Sequence, residues 1–160
     1  MTIVDFDSGQ VAEKIRRAAG NTVAGHALRQ ADASSLRDRY RENGAHYRAV
    51  AAECLERGDH LQAAEKSWGV FAQAVKEAGA AHRYRLRTHE AVIRVAHALT
   101  EMVGPSDPAR AARLRHGLTA ARSLHQHFYE GDLPPDLVRS LVAEVMDAVD
   151  LLDTAFSHER

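Results

Sequence analysis

The densest run of chemistry-bearing side chains in the sequence is His82-Arg83-Tyr84-Arg85-Leu86-Arg87. Arg83, Arg85 and Arg87 with an aromatic among them are the residue types that contact a phosphate or RNA backbone. The same run also reads as a solvated connector. A second polar group, Glu65 and Lys66, flanks the chain's one tryptophan, Trp68. It reads either as a polar cluster lining a groove between helices or as surface charges paired one helical turn away. His125 shares a stripe with Ala121 and Phe128, the position of a core or interface histidine bonded to a neighbour, and it joins Lys66 and the three arginines as a candidate ligand contact. His125 and His127 point to nearly opposite sides of one helix, and further ligands such as His97 or His116 are remote in sequence, so no metal site is expected. Cys54, the sole cysteine, lies on an apolar stripe and reads as a buried thiol.

These groups need a scaffold, and the apolar periodicity supplies one. Leu61, Ala64, Trp68, Phe71, Ala72 and Val75 recur at spacings of three and four, which predicts a core helix over about 59–80. Gly58 can close the helix before it in a left-handed conformation, and Asp59 can cap the new one. Tyr47, Val50, Ala51, Cys54 and Leu55 provide the facing stripe, on a helix from Ser34 or Ser35 to about Arg57. The connector 82–87 follows. Thr88 caps a helix that buries Val92, Val95, Ala96, Leu99, Met102 and Val103 and stops at Gly104-Pro105. Asp107-Pro108 opens a helix with Leu114, Leu118, Ala121, Leu124 and Phe128 inward, ended near Gly131. Pro134-Pro135 opens the last, which buries Leu137, Val138, Leu141, Val145, Val149, Leu152 and Phe156. Upstream, Asp7 or Ser8 can cap a helix over 9–19 with Val11, Ile15 and Ala18 on one side, and a weaker helical run covers Thr22 to Gln30. No strand-like alternation of useful length is visible.

Bulk properties narrow the classes. One domain is the expectation for 160 residues. A net charge of −1 excludes a protein that binds nucleic acid by its overall charge and leaves only a local patch to do so. A single cysteine excludes an internal disulfide. The opening MTIVDFDSGQ has neither a basic segment nor an apolar run, and no stretch approaches 18 apolar residues, so neither a signal peptide nor a membrane span is expected and a cytoplasmic location follows by default.

Four features occur in order: the Gly58-Asp59 turn, Ala64-Glu65-Lys66 before Trp68, Thr88-His89 opening a helix, and Leu124-His125 before Phe128-Tyr129-Glu130. On these, the chain over roughly 45–153 resembles the archaeal PaREP family, itself similar to the HEPN (higher eukaryotes and prokaryotes nucleotide-binding) domains. The resemblance implies an antiparallel up-and-down helical bundle, often a homodimer, and either a nucleotide-, RNA- or partner-binding module or a metal-independent endoribonuclease. HEPN nucleases carry an arginine followed after four to six residues by a histidine. Arg122 and His127 match near the end of the penultimate helix and would be the catalytic pair, the histidine moving a proton and the arginine holding the phosphate. Arg39 and Arg41 with His46, Arg83 with His89, and Arg110 with His116 fit the same loose spacing. Five residues turn a helix by about 140°, so Arg122 and His127 do not share a face closely.

The reading is therefore an all-α HEPN-like bundle over 35–157 with an N-terminal helical arm over 1–34. It is a binding or interaction module without a cofactor, with the nuclease and a tetratricopeptide-like adaptor as alternatives.

Overall fold

The computed structural model describes residues 6–20 and 24–157; the first five residues of the expected arm and the start of the weak run at 22 lie outside them. Six helices make the body: α1 (Ser8–Ala19), α2 (Gln30–Glu56), α3 (His60–Ala81), α4 (His89–Val103), α5 (Pro108–Glu130) and α6 (Pro135–Phe156). None of them is long and apolar enough to cross a membrane. α3 is the axis, packed against α2, α5 and α6, while α1 lies on α4 and α4 touches α5. Trp68, Phe71 and Val75 of α3 share one core with Val92, Val95 and Leu99 of α4, Leu118 and Leu124 of α5, and Val145 and Leu152 of α6. Val11, Ile15 and Ala19 belong to the same core, so α1 is packed into the body.

Local signals fixed most of the helix ends. Asp7, Asp59, Thr88 and Asp107 each accept a backbone N–H from three residues on, which satisfies a donor the helix cannot. Gly58 adopts φ 75°, the left-handed turn that lets α2 fold back on α3.

Three expectations are corrected. The run Thr22 to Gln30 is not helical where it is described: Gly25–Ala27 is a strand, β1, and α2 starts at Gln30, ahead of Ser34. The basic connector is its partner, β2 (Tyr84–Leu86), paired antiparallel with Gly25 opposite Leu86, His26 opposite Arg85 and Ala27 opposite Tyr84. The strand alternation thus exists, but over three residues only: Tyr84 and Leu86 are buried and Arg85 is exposed. Gly25 makes the pairing possible, since a Cβ there would lie 2.5 Å from the Tyr84 ring and 2.7 Å from the Arg85 carbonyl oxygen. Finally, Leu61 and Leu137 are exposed, not buried. Each sits in the first turn of its helix, turned away from the buried face that begins at Ala63 and Val138.

Candidate functional site

The ribbon lifts one positive group out of the body. Leu28 N–H to the Arg83 carbonyl and Arg87 N–H to the Ala24 carbonyl extend the pairing at both ends, while Tyr84 and Leu86 anchor the strand in the core. With alternate residues on opposite faces, Arg83, Arg85 and Arg87 are left exposed. None of the three guanidinium groups has an ion pair with a carboxylate among the described residues. Arg83 differs from the other two. It is the only non-glycine residue with positive φ among those described, at 63°, and it lines a cavity between α1 and the end of α6.

Next to Arg85 is a cation that the sequence did not single out, Lys76 of α3. Burial first, and then the Arg85 charge, hold its pKa below the usual lysine value. Lys76 in turn bears on His89, the first residue of α4. The His89 pKa is lowered by burial, then by His125 and Lys76, with Glu65 acting the other way.

From His89 the surface becomes aromatic. Its ring stands edge-on to Trp68 at 5.4 Å and to His125 at 5.3 Å. His125 lies 5.0 Å from Trp68 on one side and 5.3 Å from Tyr129 on the other. Trp68 is buried beneath, whereas Tyr129 is 72% exposed. The Glu65 carboxylate takes the Nδ1 hydrogen of His125 at 3.1 Å. A carboxylate can only accept here, so Nδ1 carries the hydrogen and Nε2 presents a lone pair in the neutral ring.

The candidate residues do not all share one environment. Arg85, Arg87 and His125 belong to this surface. Lys66 does not: it turns to α2, with its ammonium 5.4 Å from the centre of the Tyr47 ring, while Glu65 beside it turns to α5. Arg122 is exposed on α5 and has no bonded partner among the described residues. His127 is 3% exposed, and its Nδ1 accepts the Leu133 N–H at 3.0 Å. That bond uses the Nδ1 lone pair, so the ring hydrogen is on Nε2, and the Asp132 carboxylate 3.6 Å from Nδ1 is a neighbour without a proton to share. Within the described chain Arg122 and His127 meet different surroundings: one faces solvent, the other pins the turn after α5. On α5, Arg110 is buried beside Asp107 and Arg113 is paired with Asp147. The cation beside the ribbon is Lys76. His89, Lys76 and Tyr129 were missed. His89 had a usable signal, a helix-opening position directly after the basic run; the positions of Lys76 and Tyr129 depend on the packing of α3 against the ribbon and α5.

Among the described residues no group of three or more His, Cys, Asp or Glu side chains is placed to hold a metal ion.

Fold and surface together define a class: an all-α six-helix bundle with a short strand pair bolted to its central helix, able to serve as an interaction module. The chain matches the Archaeal PaREP1/PaREP8 family over residues 39–149 and belongs to it. No curated protein and no solved structure matches the chain.

Proposed function

We propose that this protein is a binding module for single-stranded RNA, with the ribbon holding the phosphates and the Tyr129–His125–His89 surface receiving a base. The observation that carries the reading is the uncompensated positive charge of Arg87, Arg85 and Lys76, with the His89 ring beside it. Burial lowers the Lys76 pKa and the Arg85 charge adds to it; burial, then His125 and Lys76, lower that of His89. Cations that disfavour one another cost folding free energy, and a phosphate placed among them removes that cost. Alongside stands an exposed tyrosine edge-on to an imidazole, the sort of surface on which bases stack in a sequence-tolerant way, each worth about 1–3 kcal/mol. The sequence resemblance to HEPN domains points to the same ligand class.

The test is fluorescence anisotropy with an end-labelled ten-nucleotide RNA, from 50 to 300 mM salt, for the wild type and the Arg85→Gln/Arg87→Gln double variant. Binding should weaken linearly on a log–log plot against salt. The double variant should bind at least about tenfold more weakly, with the slope reduced by about 1.4, or roughly 0.7 per lost phosphate contact. Salt-independent binding, no binding at 50 mM, or identical slopes for the two proteins would reject the reading. Competition by free ATP at micromolar concentration would move the ligand from RNA to mononucleotide.

A further inference from the structure

A cavity of about 380 Å3 opens between the start of α1, the end of α6 and the turn leading into β2. That is within the range of small-molecule sites. One wall is apolar: Phe6 stacked on Phe156 at 5.2 Å, with Val11 beside them. The other is polar and already ordered. The His82 Nε2 donates to the Phe156 carbonyl at 3.1 Å, since a carbonyl cannot donate. His82 Nδ1 is therefore the acceptor, and the Ser8 hydroxyl, 3.4 Å away, turns its hydrogen toward it. The Ser8 oxygen lone pairs stay free for a ligand donor or water. Burial holds the His82 pKa down, which keeps the ring neutral. Asp7, on the same stretch, is occupied in capping α1 through the Gln10 N–H. Among the described residues, Arg83 is then the one cation lining the cavity.

The backbone at Arg83 carries the argument further. α3 ends at Ala81, and the residue two beyond it adopts φ 63°. Helix ends of this kind are cheapest with glycine; an L side chain there costs about 1 kcal/mol or more. Hydrogen bonds from Arg83 N–H to the Ala80 carbonyl and from Leu28 N–H to the Arg83 carbonyl hold the strained conformation in place. The arginine side chain adds no ion pair among the described residues to offset that cost, and it lines a cavity with one apolar wall. Such a conformation kept at an arginine rather than a glycine, with the side chain unpaired, points to a use for that side chain.

We propose that this cavity is a binding site for a small organic anion, an aryl or short-chain carboxylate or phosphate monoester. Its apolar part lies against Phe6, Phe156 and Val11, and its anionic group meets the Arg83 guanidinium. The site is separate from the outer face of the ribbon and does not depend on RNA binding.

The probes are 2-naphthoate and 2-naphthyl phosphate, with 2-naphthol as the uncharged counterpart. Each is titrated into the full chain by calorimetry and by amide chemical-shift mapping. Both anions should bind, and 2-naphthol should bind at least about tenfold more weakly, the loss expected when a charge-assisted hydrogen bond is missing. Shifts should centre on Val11, Ala12, Ala81 and Phe156. Arg83→Gly separates a ligand role from a structural one: it should reduce anion affinity at least about tenfold while the melting temperature holds or rises, because glycine relieves the left-handed strain. Arg115→Gln, an exposed arginine on α5, should leave anion affinity unchanged. Overturning results are no binding of either anion below about 1 mM, equal affinity for 2-naphthol, unchanged affinity in Arg83→Gly, or shifts mapping elsewhere.

Discussion

Near the end of α5 two imidazoles sit two residues apart and meet opposite surroundings. Around His127 the ring Nδ1 and the backbone carbonyl are engaged within the fold. The ring accepts the Leu133 N–H, and the His127 carbonyl accepts the N–H of Gly131 as the helix turns off. Around His125 one nitrogen is held by Glu65 while the ring, 25% exposed, stands among Trp68, His89 and Tyr129. Both are histidines close to basic residues on one helix, and the resemblance to HEPN nucleases pointed to His127 as the catalytic one. The difference teaches that the neighbour which claims Nδ1 decides the role. A backbone N–H on Nδ1 makes the ring part of the scaffold; a carboxylate on Nδ1 orients the ring and leaves its other face to act outward.

Substituting each histidine by alanine should break the symmetry of the pair. His127→Ala carries the larger effect. It leaves the Leu133 N–H without its acceptor beside a new void, a loss of about 2–3 kcal/mol. For a chain of this size the melting temperature should drop by roughly 5–10 °C, and calorimetry would measure it. RNA affinity, determined below the melting range, should not change. A variant that melts like the wild type would show that His127 is not holding the turn. His125→Ala should do the reverse. It removes an exposed-side aromatic partner, at about 0.5–1.5 kcal/mol, and uncovers Trp68, so emission should move to longer wavelength. RNA affinity should fall several-fold as the stacking surface is lost. Should affinity survive while emission shifts, the base-receiving surface lies elsewhere and only the ribbon half of the proposal stands.

The helices were legible because their signals are local. Asp59, Thr88 and Asp107 cap as their types dictate, and Gly58 takes the one backbone conformation for which it is specially suited. The ribbon was not legible, because three residues are too few to show alternation and because its cause is tertiary. Gly25 is required by contact with Tyr84, a residue far along the chain. The site was half legible for the same reason. Composition exposed the arginine run, and the Trp68 stripe located the core. Yet Lys76 joins the site only because α3 packs on β2, and Glu65 and Lys66 part company because neighbouring positions on a helix are about 100° apart and here reach different helices. Leu61 and Leu137 show the limit of the periodic pattern itself: both are apolar and near the stripe, yet the face that packs begins at Ala63 and Val138.

The finest contrast between the scaffold and the surface is in their response to pH. His89 has a folded-state pKa below its ordinary value, with burial the leading cause. As pH falls through the ordinary range near 6.5, the unfolded chain takes up its proton before the native protein does. Stability contributed by the neutral ring is therefore complete above that range and lost as pH falls below it. His82 has the same sign, and Glu77, raised by burial, has the opposite one. Both are shared by the wild type and His89→Asn, so the difference between the two proteins isolates His89. Thermal melts between pH 8 and 5.5 should show the wild type losing slightly more stability than His89→Asn as acid is added. Parallel curves would mean that the ring is not disfavoured as an imidazolium in the native state. RNA should invert the sign. A phosphate near Lys76 and His89 stabilises the imidazolium, so binding takes up a proton and affinity in the wild type should rise modestly from pH 8 to 6, with the rise absent in His89→Asn. If the melts diverge and the affinities do not, His89 is disfavoured by its neighbours but lies outside the reach of the phosphates. The binding surface would then end at Lys76.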